Sequence, residues 1–417
     1  MRNTDPIDTT TRPDTHGPGP SRLRPWTFVI AFGVVSLLAD MVYEGARSII
    51  GPYLATLGAS AAVVGLVACA GEFIGYGLRV ISGYAVGRTQ RYWTWTILGY
   101  ALTVLSVPLI GVTSAVIPAL LLYGTERLGK AVRSPAKDTL LSYASAGTGR
   151  GSAFGVHQAL DQTGAVAGPL LLAAVLAWRE GDYRLAFGVL IVPGLTVLAV
   201  LFWLRRRVPD PTVYEDEARS AAPAKPDTPL DDGRLPRRFW SYTALVGLLS
   251  CGVASFPLLA FHAQTQGLLT DAQVPLLFAA AMVVDGATGP IVGRLYDARG
   301  PIVLLAVPIA AGLSAIAFTD NAVLVWVGVA IWGVVNGVLD STVKAVVTEL
   351  VPTTRRAVAF GWLALFRGAS LLVAGGVLGF LYDRGRVATI VVILAANLVA
   401  LIGLAPLLRR LQPARSG

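Results

Sequence analysis

The chain has 417 residues, of which 54% are hydrophobic and only 14% are charged, whereas a soluble domain carries about 25% charged residues. Its mean hydropathy of +0.63 exceeds what one buried core can absorb, so the composition excludes an ordinary soluble domain and predicts several membrane spans. The net charge of +9 does not indicate nucleic-acid binding, because the arginines lie in short loops between apolar runs, as in the cytoplasmic loops of membrane proteins.

Apolar runs long enough to cross a bilayer, which takes about 20 residues, form two sets of six. The first set lies at residues 26–57, 60–86, 93–113, 115–141, 151–177 and 184–204. The second set lies at 239–264, 272–294, 301–319, 322–350, 357–380 and 387–408. The segment between the sets, 205–238, is rich in Pro, Asp and Ala and predicts a solvated linker. We therefore predict an all-α membrane protein with twelve transmembrane helices in two pseudo-symmetric six-helix bundles, 26–204 and 239–408, flanked by a disordered cytoplasmic tail at 1–25 and a second tail at 409–417.

The distribution of arginines predicts how the chain is oriented, since cytoplasmic loops carry the excess of basic residues. One side of the predicted spans holds Arg88, Arg91, Arg150, Arg205, Arg206, Arg207, Arg237, Arg238, Arg294, Arg299, Arg355, Arg356, Arg409 and Arg410. This bias places both termini and the linker in the cytoplasm, in a multi-pass protein of the cell inner membrane. The first span is too long for a signal-peptide core, so we expect it to stay uncleaved. Cys69 and Cys251 fall inside apolar runs, which argues against a disulfide or a metal site.

Two similar segments indicate an internal duplication. Arg150-Gly-Ser-Ala-Phe-Gly155 opens the fifth span, and Arg356-Ala-Val-Ala-Phe-Gly361 opens the eleventh, 206 residues later. A match of Ala-Phe-Gly can arise by chance in an apolar sequence, so the argument rests on the equivalent positions of the two segments. Duplicated bundles with a binding site at their interface are a common plan of transporters.

The loop after the eighth span, Gly293-Arg294-Leu-Tyr-Asp297-Ala-Arg-Gly300, resembles the loop signature of the major facilitator superfamily. In that family the aspartate helps to latch the two halves together on the cytoplasmic side. The corresponding loop of the first half has Gly87 at this place, so the resemblance implies an asymmetric latch through Asp297, assisted by Arg294 or Arg299. In the fifth span, Gly164-Ala-Val-Ala-Gly168-Pro169 is similar to the family's antiporter motif. Plain helix packing explains the Gly-x-x-x-Gly spacing equally well.

Three further segments are similar to a prokaryotic, multidrug-resistance-like branch of the same superfamily. They are Asp40-Met-Val-Tyr-Glu44, Glu126-Arg-Leu-Gly-Lys-Ala-Val-Arg-Ser-Pro-Ala-Lys-Asp138 and Ala153-Phe-Gly-Val-His-Gln-Ala-Leu-Asp161. The superfamily resemblance extends over residues 26–408, whereas the branch resemblance rests mainly on the first half. It implies a secondary transporter that works by alternating access, and it favours proton-coupled efflux.

Ionisable residues inside the spans are the candidate functional residues, because a charge at mid-helix costs about 2.5–3.5 kcal/mol and is usually internal, paired and functional. Asp40 lies about 21 Å into the first span, and Glu44 lies one turn further on the same face, so this pair is a candidate proton carrier. His157 and Asp161 are one turn apart on the fifth span, and histidine titrates in the physiological range. The residues predicted for proton coupling or for the cavity are Asp40, Glu44, Glu72, Arg79, Glu126, Arg127, Lys130, Arg133, His157, Asp161, Asp340 and Arg367.

Several of these groups also have a purely structural interpretation. Glu72 and Arg79 can pair with each other through water or with partners on neighbouring helices. Glu126 and Lys130 can form an intrahelical pair that serves packing alone. His157 can be a histidine whose hydrogen bonds are satisfied within the bundle. The sequence leaves these alternatives open.

On the fourth span we expect Arg127 or Arg133 to face the cavity within salt-bridge reach of Asp40, Glu72 or Asp161. An arginine can hold a carboxylate and release it on protonation, which would link the proton to conformation. The alternative is that these arginines lie at the boundaries of the membrane. The second half is sparser in charge.

At the offset of 206 residues, Arg367 takes the place of Asp161. We therefore expect coupling to reside in the first half and the second half to shape the substrate pocket.

No phosphate-binding loop, metal-spaced His or Cys cluster or nucleophile elbow occurs, so we expect no enzyme activity and no cofactor or metal. The expected partners are a small-molecule substrate, the proton as coupling ion and membrane lipid, with the chain as a monomer. Proton-coupled efflux, proton–solute symport and lipid flipping all fit this pattern, as does a sensor derived from a transporter. Uptake into inverted vesicles, with and without a proton gradient, would separate these functions.

Overall fold

The computed structural model describes residues 23–145, 150–214, 235–351 and 356–409, which form helices and short connections. The first half comprises α1 (Pro25–Thr56), α2 (Ala61–Thr89), α3 (Tyr92–Ile110), α4 (Val116–Ser145), α5 (Arg150–Trp178), α6 (Tyr183–Val189) and α7 (Ile191–Arg207). The second half comprises α8 (Arg237–Cys251), α9 (Phe256–Thr265), α10 (Gln273–Arg299), α11 (Ala306–Ser314), α12 (Ala322–Leu350), α13 (Arg356–Arg384) and α14 (Arg386–Arg409). The 3₁₀ turns Gly300–Leu305 and Ala315–Phe318 flank α11.

These helices account for the twelve predicted spans. The pair α6 and α7 makes one span, α8 and α9 make another, and α11 with its flanking turns makes a third. Within the described residues, eleven segments are long and apolar enough to cross a membrane by themselves. The prediction of an all-α multi-pass membrane protein is therefore confirmed.

The remaining span is α4, which has 30 residues but is less apolar than these eleven segments. It carries six charged side chains, namely Glu126, Arg127, Lys130, Arg133, Lys137 and Asp138. A lipid-facing helix with that many charges would be costly. Helix α4 packs instead against α1, α2, α3 and α5, which supply partners for most of its charges.

Each half is a bundle with its own close pairs of helices. In the first half α1 packs along α5 and α3 along α4, and in the second half α10 packs along α12. The most extensive contacts between the halves join α2 with α13, α5 with α10, and α1 with α9. Because the described helices cross the bundle twelve times, α1 begins and α14 ends at the same end, called the terminal end below. The opposite end is called the far end.

The pairing of α1 with α5 depends on the glycines of the antiporter-like segment. A Cβ at Gly164 would lie 2.1 Å from the carbonyl oxygen of Leu37, and one at Gly168 would lie 2.3 Å from that of Met41. No side chain fits at either place, so these two glycines allow α5 to lie directly against α1. Pro169 follows inside α5 and is buried. The segment thus serves helix packing, and a role of the same segment in antiport stays a prediction.

The far end is closed by contact between the backbones of the two halves. A Cβ at Gly375 would lie 2.2 Å from the carbonyl oxygen of Gly65, and one at Gly65 would lie 2.4 Å from that of Gly375. Gly51 is equally close to the second half, since its Cβ would lie 2.2 Å from the carbonyl oxygen of Pro257. Helices α2 and α13 therefore touch without intervening side chains.

Two carboxylates reinforce this closure by hydrogen bonds across the halves. Asp383, at the end of α13, accepts from the backbone N–H groups of Ala61 and Ala62 at 3.0 and 2.9 Å. These are the first residues of α2, so the carboxylate caps a helix of the other half at its positive end. Asp271, in the connection before α10, accepts from the hydroxyl of Tyr183 at 2.7 Å. The far end is therefore held by polar contacts as well as by packing.

Some predicted features fall outside the described residues. The tail 1–22, most of the linker (215–234) and the end 410–417 are among them, as is the side chain of Asp297. Around that residue, Arg294 is exposed, Gly293 is half-buried and Gly300 has a φ of +71°. A positive φ is readily adopted by glycine, which explains why this loop ends in one. Gly87 is exposed. The asymmetric latch stays a prediction.

Candidate functional site

The charged residues of the first half form a cluster between α1, α2, α4 and α5. Asp40 and Glu44 on α1 are each 7% exposed, and Arg127 on α4 is 1% exposed. Buried charges persist only when they are paired or hydrogen-bonded, because desolvation costs several kcal/mol per ion. The partners of each charge therefore show how this cluster is assembled.

One chain of ion pairs links α1, α2 and α4. The guanidinium of Arg47 lies 3.5 Å from a carboxylate oxygen of Glu44 and 3.5 Å from one of Glu72. That same oxygen of Glu72 lies 3.4 Å from Nη1 of Arg127. Nζ of Lys130 lies 4.0 Å from the other oxygen of Glu44. Two carboxylates and three cations thus tie three helices together.

A second group lies on α5, facing α4. Nδ1 of His157 is 3.4 Å from Oδ2 of Asp161, one turn along the helix, and Nζ of Lys137 is 4.0 Å from the same oxygen. The other oxygen of Asp161 is buried without a hydrogen-bond partner, as is Nε2 of His157. This group therefore retains an acceptor and a ring nitrogen that can take part in further hydrogen bonds.

Asp40 lies between the ion-pair chain and the α5 group. Within the described residues, no cation lies within 4.0 Å of its carboxylate, although Lys130 and Lys137 act on it electrostatically from further away. Asp161 and Glu44 are the neighbouring acids. Asp40 is thus a buried carboxylate among like charges and without an ion pair of its own, an arrangement typical of groups that exchange protons.

Helix α4 carries two more buried charged residues, Glu126 and Arg133. Nε of Arg127 is 2.9 Å from Oε2 of Glu126, yet both atoms lack a well-aligned hydrogen bond, so this contact is an ion pair by distance only. Arg133 donates to Oγ1 of Thr103 at 2.7 Å. Its guanidinium lies over the rings of Tyr43 and Tyr100, at 5.3 and 4.5 Å. Arg133 therefore binds a hydroxyl and two aromatic faces rather than a carboxylate.

The cluster faces a central cavity of about 260 Å³ between the halves. Eight charged residues line it, namely Asp40, Glu44, Arg47, Glu72, Lys130, Asp161, Asp285 and Arg367. The second half adds Asp285, Asn336 and Trp332 to the lining. Five acids and three bases thus line the cavity, so charges of both signs face it.

A larger cavity of about 1150 Å³ adjoins the central one and shares five lining residues with it. Those shared residues are Tyr76, Gln158, Gln162, Asp285 and Arg367. It extends along α5 to the exposed residues Gly155 and Ala159, which lie near the start of α5 and hence toward the terminal end. The site is thus closed toward the far end and reached from the other side.

The predicted site residues divide into three groups by position. Seven line a cavity, namely Asp40, Glu44, Glu72, Arg79, Lys130, Asp161 and Arg367. Four others, Glu126, Arg127, Arg133 and His157, are buried but line neither of these cavities. The side chain of Asp340 lies outside the described residues. Of the two arginines expected to reach a carboxylate, Arg127 lies near Glu72 and Arg133 does not lie near any among the described residues.

Several cavity residues are not among those predicted from the sequence. Arg47 forms ion pairs with Glu44 and Glu72. In the sequence it is marked only as a charged residue one turn after Glu44. Gln162 donates to the carbonyl oxygen of Met282 in the other half at 2.6 Å. Uncharged residues such as Gln158 give no signal in an apolar helix unless the helix face is known.

Within the described residues, no group of three or more His, Cys, Asp and Glu side chains is placed to hold a metal ion. His262 of the second half shows the structural use of a buried histidine. Its Nδ1 is 2.7 Å from the hydroxyl of Tyr382, and its Nε2 is 3.1 Å from the carbonyl oxygen of Thr319. Both ring nitrogens of His262 therefore have partners, whereas Nε2 of His157 has no hydrogen-bond partner among the described residues.

Comparison with known proteins agrees with this architecture. The family model described as Major Facilitator Superfamily matches residues 32–375. An uncharacterized protein of Mycobacterium tuberculosis is 47% identical over 91% of this chain and 92% of its own length. An uncharacterized MFS-type transporter of Methanocaldococcus jannaschii is 23% identical over 85% of this chain and 88% of its own.

Solved structures share the fold at low sequence identity. A POT family transporter in complex with a thioalcohol conjugated peptide has a TM-score of 0.73 and 12% identity, with 92% of this chain and 96% of that chain covered. A bacterial homolog of the human lysosomal transporter Spinster, in an inward-facing and occupied conformation, has a TM-score of 0.69 and 15% identity, with 96% and 100% covered. With the family match across most of the sequence, this chain belongs to the Major Facilitator Superfamily of membrane transporters.

Proposed function

We propose that this protein is a proton-coupled secondary transporter that exports a small molecule across the cytoplasmic membrane, with Asp40 as the proton-binding group. The observation that carries the proposal is the position of Asp40, which lines the central cavity and is 7% exposed without an ion pair among the described residues. A proton that binds there neutralises a charge at the substrate cavity. The remaining arguments concern orientation and coupling.

The orientation follows from the arginine bias of the sequence. It supports a cytoplasmic location for the terminal end and hence, in this proposal, for both termini and the linker. With that orientation the structure is in an inward-facing form, closed at its periplasmic end, and the Spinster homolog of the same fold is also inward-facing. Alternating access requires a second form in which the far end opens and the terminal end closes.

The ion-pair chain supplies the link between proton and conformation. Glu44 and Glu72 are held by Arg47, which also lies 5.9 Å over the ring of Phe278 in the second half. A change of charge at Asp40 alters the field on Glu44, one turn away, and on Lys130. Since these side chains join α1, α2 and α4 at the interface of the halves, their rearrangement favours one access state over the other.

The test measures transport in inverted vesicles that contain the protein. Uptake of a panel of labelled cationic, anionic and neutral organic molecules is followed with and without a proton gradient. We expect at least one substrate class to accumulate only with the gradient. Asp40→Asn should abolish this accumulation while counterflow exchange of the same substrate persists, because the variant mimics a permanently protonated group.

The matched control is Asp320→Asn, which changes an acid at the far end that pairs with Arg386 inside the second half. It should keep gradient-driven uptake. The proposal for Asp40 is wrong if Asp40→Asn transports with the gradient dependence of the unaltered protein. Accumulation in right-side-out vesicles instead of inverted ones would show symport and contradict export.

A further inference from the structure

The larger cavity is a cleft that reaches the side of the bundle between α5 and α10. Its inner end is lined by Tyr76, Arg79 and Arg367, and its outer end by Leu170 and Val283. Leu170 is 45% exposed and Val283 is 55% exposed. A single space of about 1150 Å³ thus runs from charged residues at the centre to apolar residues on the outer surface.

The outer end of this cleft lies at membrane depth. Leu170 is eight residues from the end of α5 at the far end, which is about 12 Å along the helix at 1.5 Å per residue. Val283 is ten residues from the start of α10 at the far end, about 15 Å. Neither residue can border an aqueous mouth at either end, so this opening faces the hydrocarbon of the bilayer.

The other long seam between the halves offers no such opening among the described residues. Helices α2 and α13 touch at Gly65 and Gly375 through their backbones. Nearer the terminal end, a Cβ at Gly361 would lie 3.9 Å from a methyl group of Val80. The lateral cleft is therefore specific to the α5–α10 seam.

The inner end of the cleft carries the guanidinium groups of Arg79 and Arg367 and the carboxylate of Asp285. The guanidinium groups of Arg79 and Arg367 lie against the ring of Tyr76, at 5.3 and 5.9 Å from its centroid. Within the described residues, no carboxylate lies within salt-bridge distance of Arg79, and its Nε is buried without a hydrogen-bond partner. A buried donor of this kind favours an anionic acceptor such as a phosphate or carboxylate.

We propose that the cleft admits an anionic amphiphile sideways from the bilayer, with its head group at Arg79 and Arg367 and its hydrocarbon chain between Leu170 and Val283. This inference rests on the proposed transport function and names its substrate class. A hydrocarbon chain that enters between α5 and α10 passes from the bilayer to the apolar side chains at the outer end of the cleft, so its methylene groups avoid the cost of hydration. The cavity is also larger than the roughly 300–1,000 Å³ of ordinary small-molecule sites.

The test measures binding to the purified protein in nanodiscs of neutral lipid, without a gradient. The first probe is a fluorescent lysophosphatidate with a single sixteen-carbon chain. The second has the same chain and a trimethylammonium head group, and the third is glycerol phosphate, which has the anion without the chain. We expect the lysophosphatidate to bind at least tenfold more tightly than either of the others.

Two variants probe the two ends of the cleft. Arg79→Gln should weaken lysophosphatidate binding at least tenfold, and Arg79→Lys should restore most of it, which separates loss of charge from loss of fold. Val283→Trp fills the outer end and should weaken binding of the chain-bearing probe. Its matched control is Val391→Trp on α14, where the valine is 56% exposed but does not line the cleft, and this variant should bind normally.

The proposal is overturned if the cationic probe binds as tightly as the lysophosphatidate. It is also overturned if neither Arg79→Gln nor Val283→Trp weakens lysophosphatidate binding. If glycerol phosphate binds as tightly as the lysophosphatidate, the site binds a soluble anion and the cleft does not contribute by binding a hydrocarbon chain, which also overturns the proposal. Because the assay needs no gradient, its failure leaves the role of Asp40 standing. Failure of proton coupling at Asp40 likewise leaves the binding result standing.

Discussion

The two ends of the bundle differ in how the halves meet. At the far end α2 and α13 touch at Gly65 and Gly375, and Asp383 caps α2 from the opposite half. Toward the terminal end the halves enclose the larger cavity, whose lining includes the exposed residues Gly155 and Ala159. A few short contacts thus join the halves at the far end, whereas a cavity lies between them toward the terminal end.

If the protein works by alternating access as proposed, this difference identifies the contacts that must break. The seal at the far end consists of backbone packing, a carboxylate cap and the hydrogen bond between Tyr183 and Asp271. Packed interfaces switch between discrete arrangements rather than deforming continuously. Weakening each contact should therefore shift the population toward forms that are open at the far end, in proportion to the free energy lost.

The largest effect is expected from Gly375→Ala. The added methyl would lie 2.2 Å from the carbonyl oxygen of Gly65, so α2 and α13 must separate. Overpacking of this kind costs about 1–3 kcal/mol, which is about a fivefold to hundredfold shift toward the far-open form. Spin labels at Thr56 and Gln266, on a background without Cys69 and Cys251, report this as a longer distance between the halves.

The control for Gly375→Ala is its neighbour Gly376→Ala. There the added methyl would meet only a methyl group of Leu66, at 3.5 Å, which is an ordinary contact. Its distance distribution should match that of the unaltered protein. If both variants behave alike, helix propensity rather than the Gly65–Gly375 contact explains the change.

An intermediate effect is expected from Asp383→Asn. The variant loses the negative charge at the N-terminus of α2 and one of the two hydrogen bonds that Asp383 accepts. Charges and caps at helix N-termini are worth about 1–2 kcal/mol, so the far-open form should gain about fivefold to thirtyfold. Asp320→Asn, which removes an acid paired inside the second half at the same end, should leave the label distances unchanged.

The smallest effect is expected from Tyr183→Phe, which removes one hydrogen bond to Asp271 across the halves. A net loss of about 0.5–1.5 kcal/mol corresponds to about a twofold to tenfold shift. Tyr53→Phe is the matched control, since its hydroxyl donates to the carbonyl oxygens of Ile110 and Thr113 within the first half. That variant should lower thermal stability without moving the labels, and an equal shift in both would contradict the assignment of Tyr183 to the seal.

The spans could be read from the sequence because apolar length is a local property. All twelve predicted runs correspond to helical segments of the structure, although helices such as α2 and α10 continue several residues further. The charged residues of the fourth span lower its apolarity, yet α4 still crosses the bundle. Those charges are tolerated because the helices around α4 supply partners for them. The presence of these partners depends on packing and not on the sequence of the span itself.

The sequence could predict which ionisable residues lie deep in the bundle, whereas it could not predict their partners. The one-turn pair His157 and Asp161 follows from helix geometry and lies at 3.4 Å. Glu72 and Arg79 lie along one face of α2, yet Glu72 pairs with Arg47 and Arg127 on other helices. Which helices lie next to α2 depends on tertiary packing, so hydropathy and residue spacing could not identify the partners of Glu72.

The central claim is that protonation of Asp40 shifts the balance between the two ends. Its most direct test measures two label pairs in lipid nanodiscs at pH 8 and pH 5, with Thr56 and Gln266 at the far end and Arg88 and Ala298 at the terminal end. In the unaltered protein we expect the two distances to change in opposite directions with pH, whereas in Asp40→Asn neither should respond. Distances that do not depend on pH in the unaltered protein, or a full pH response in Asp40→Asn, would contradict the account.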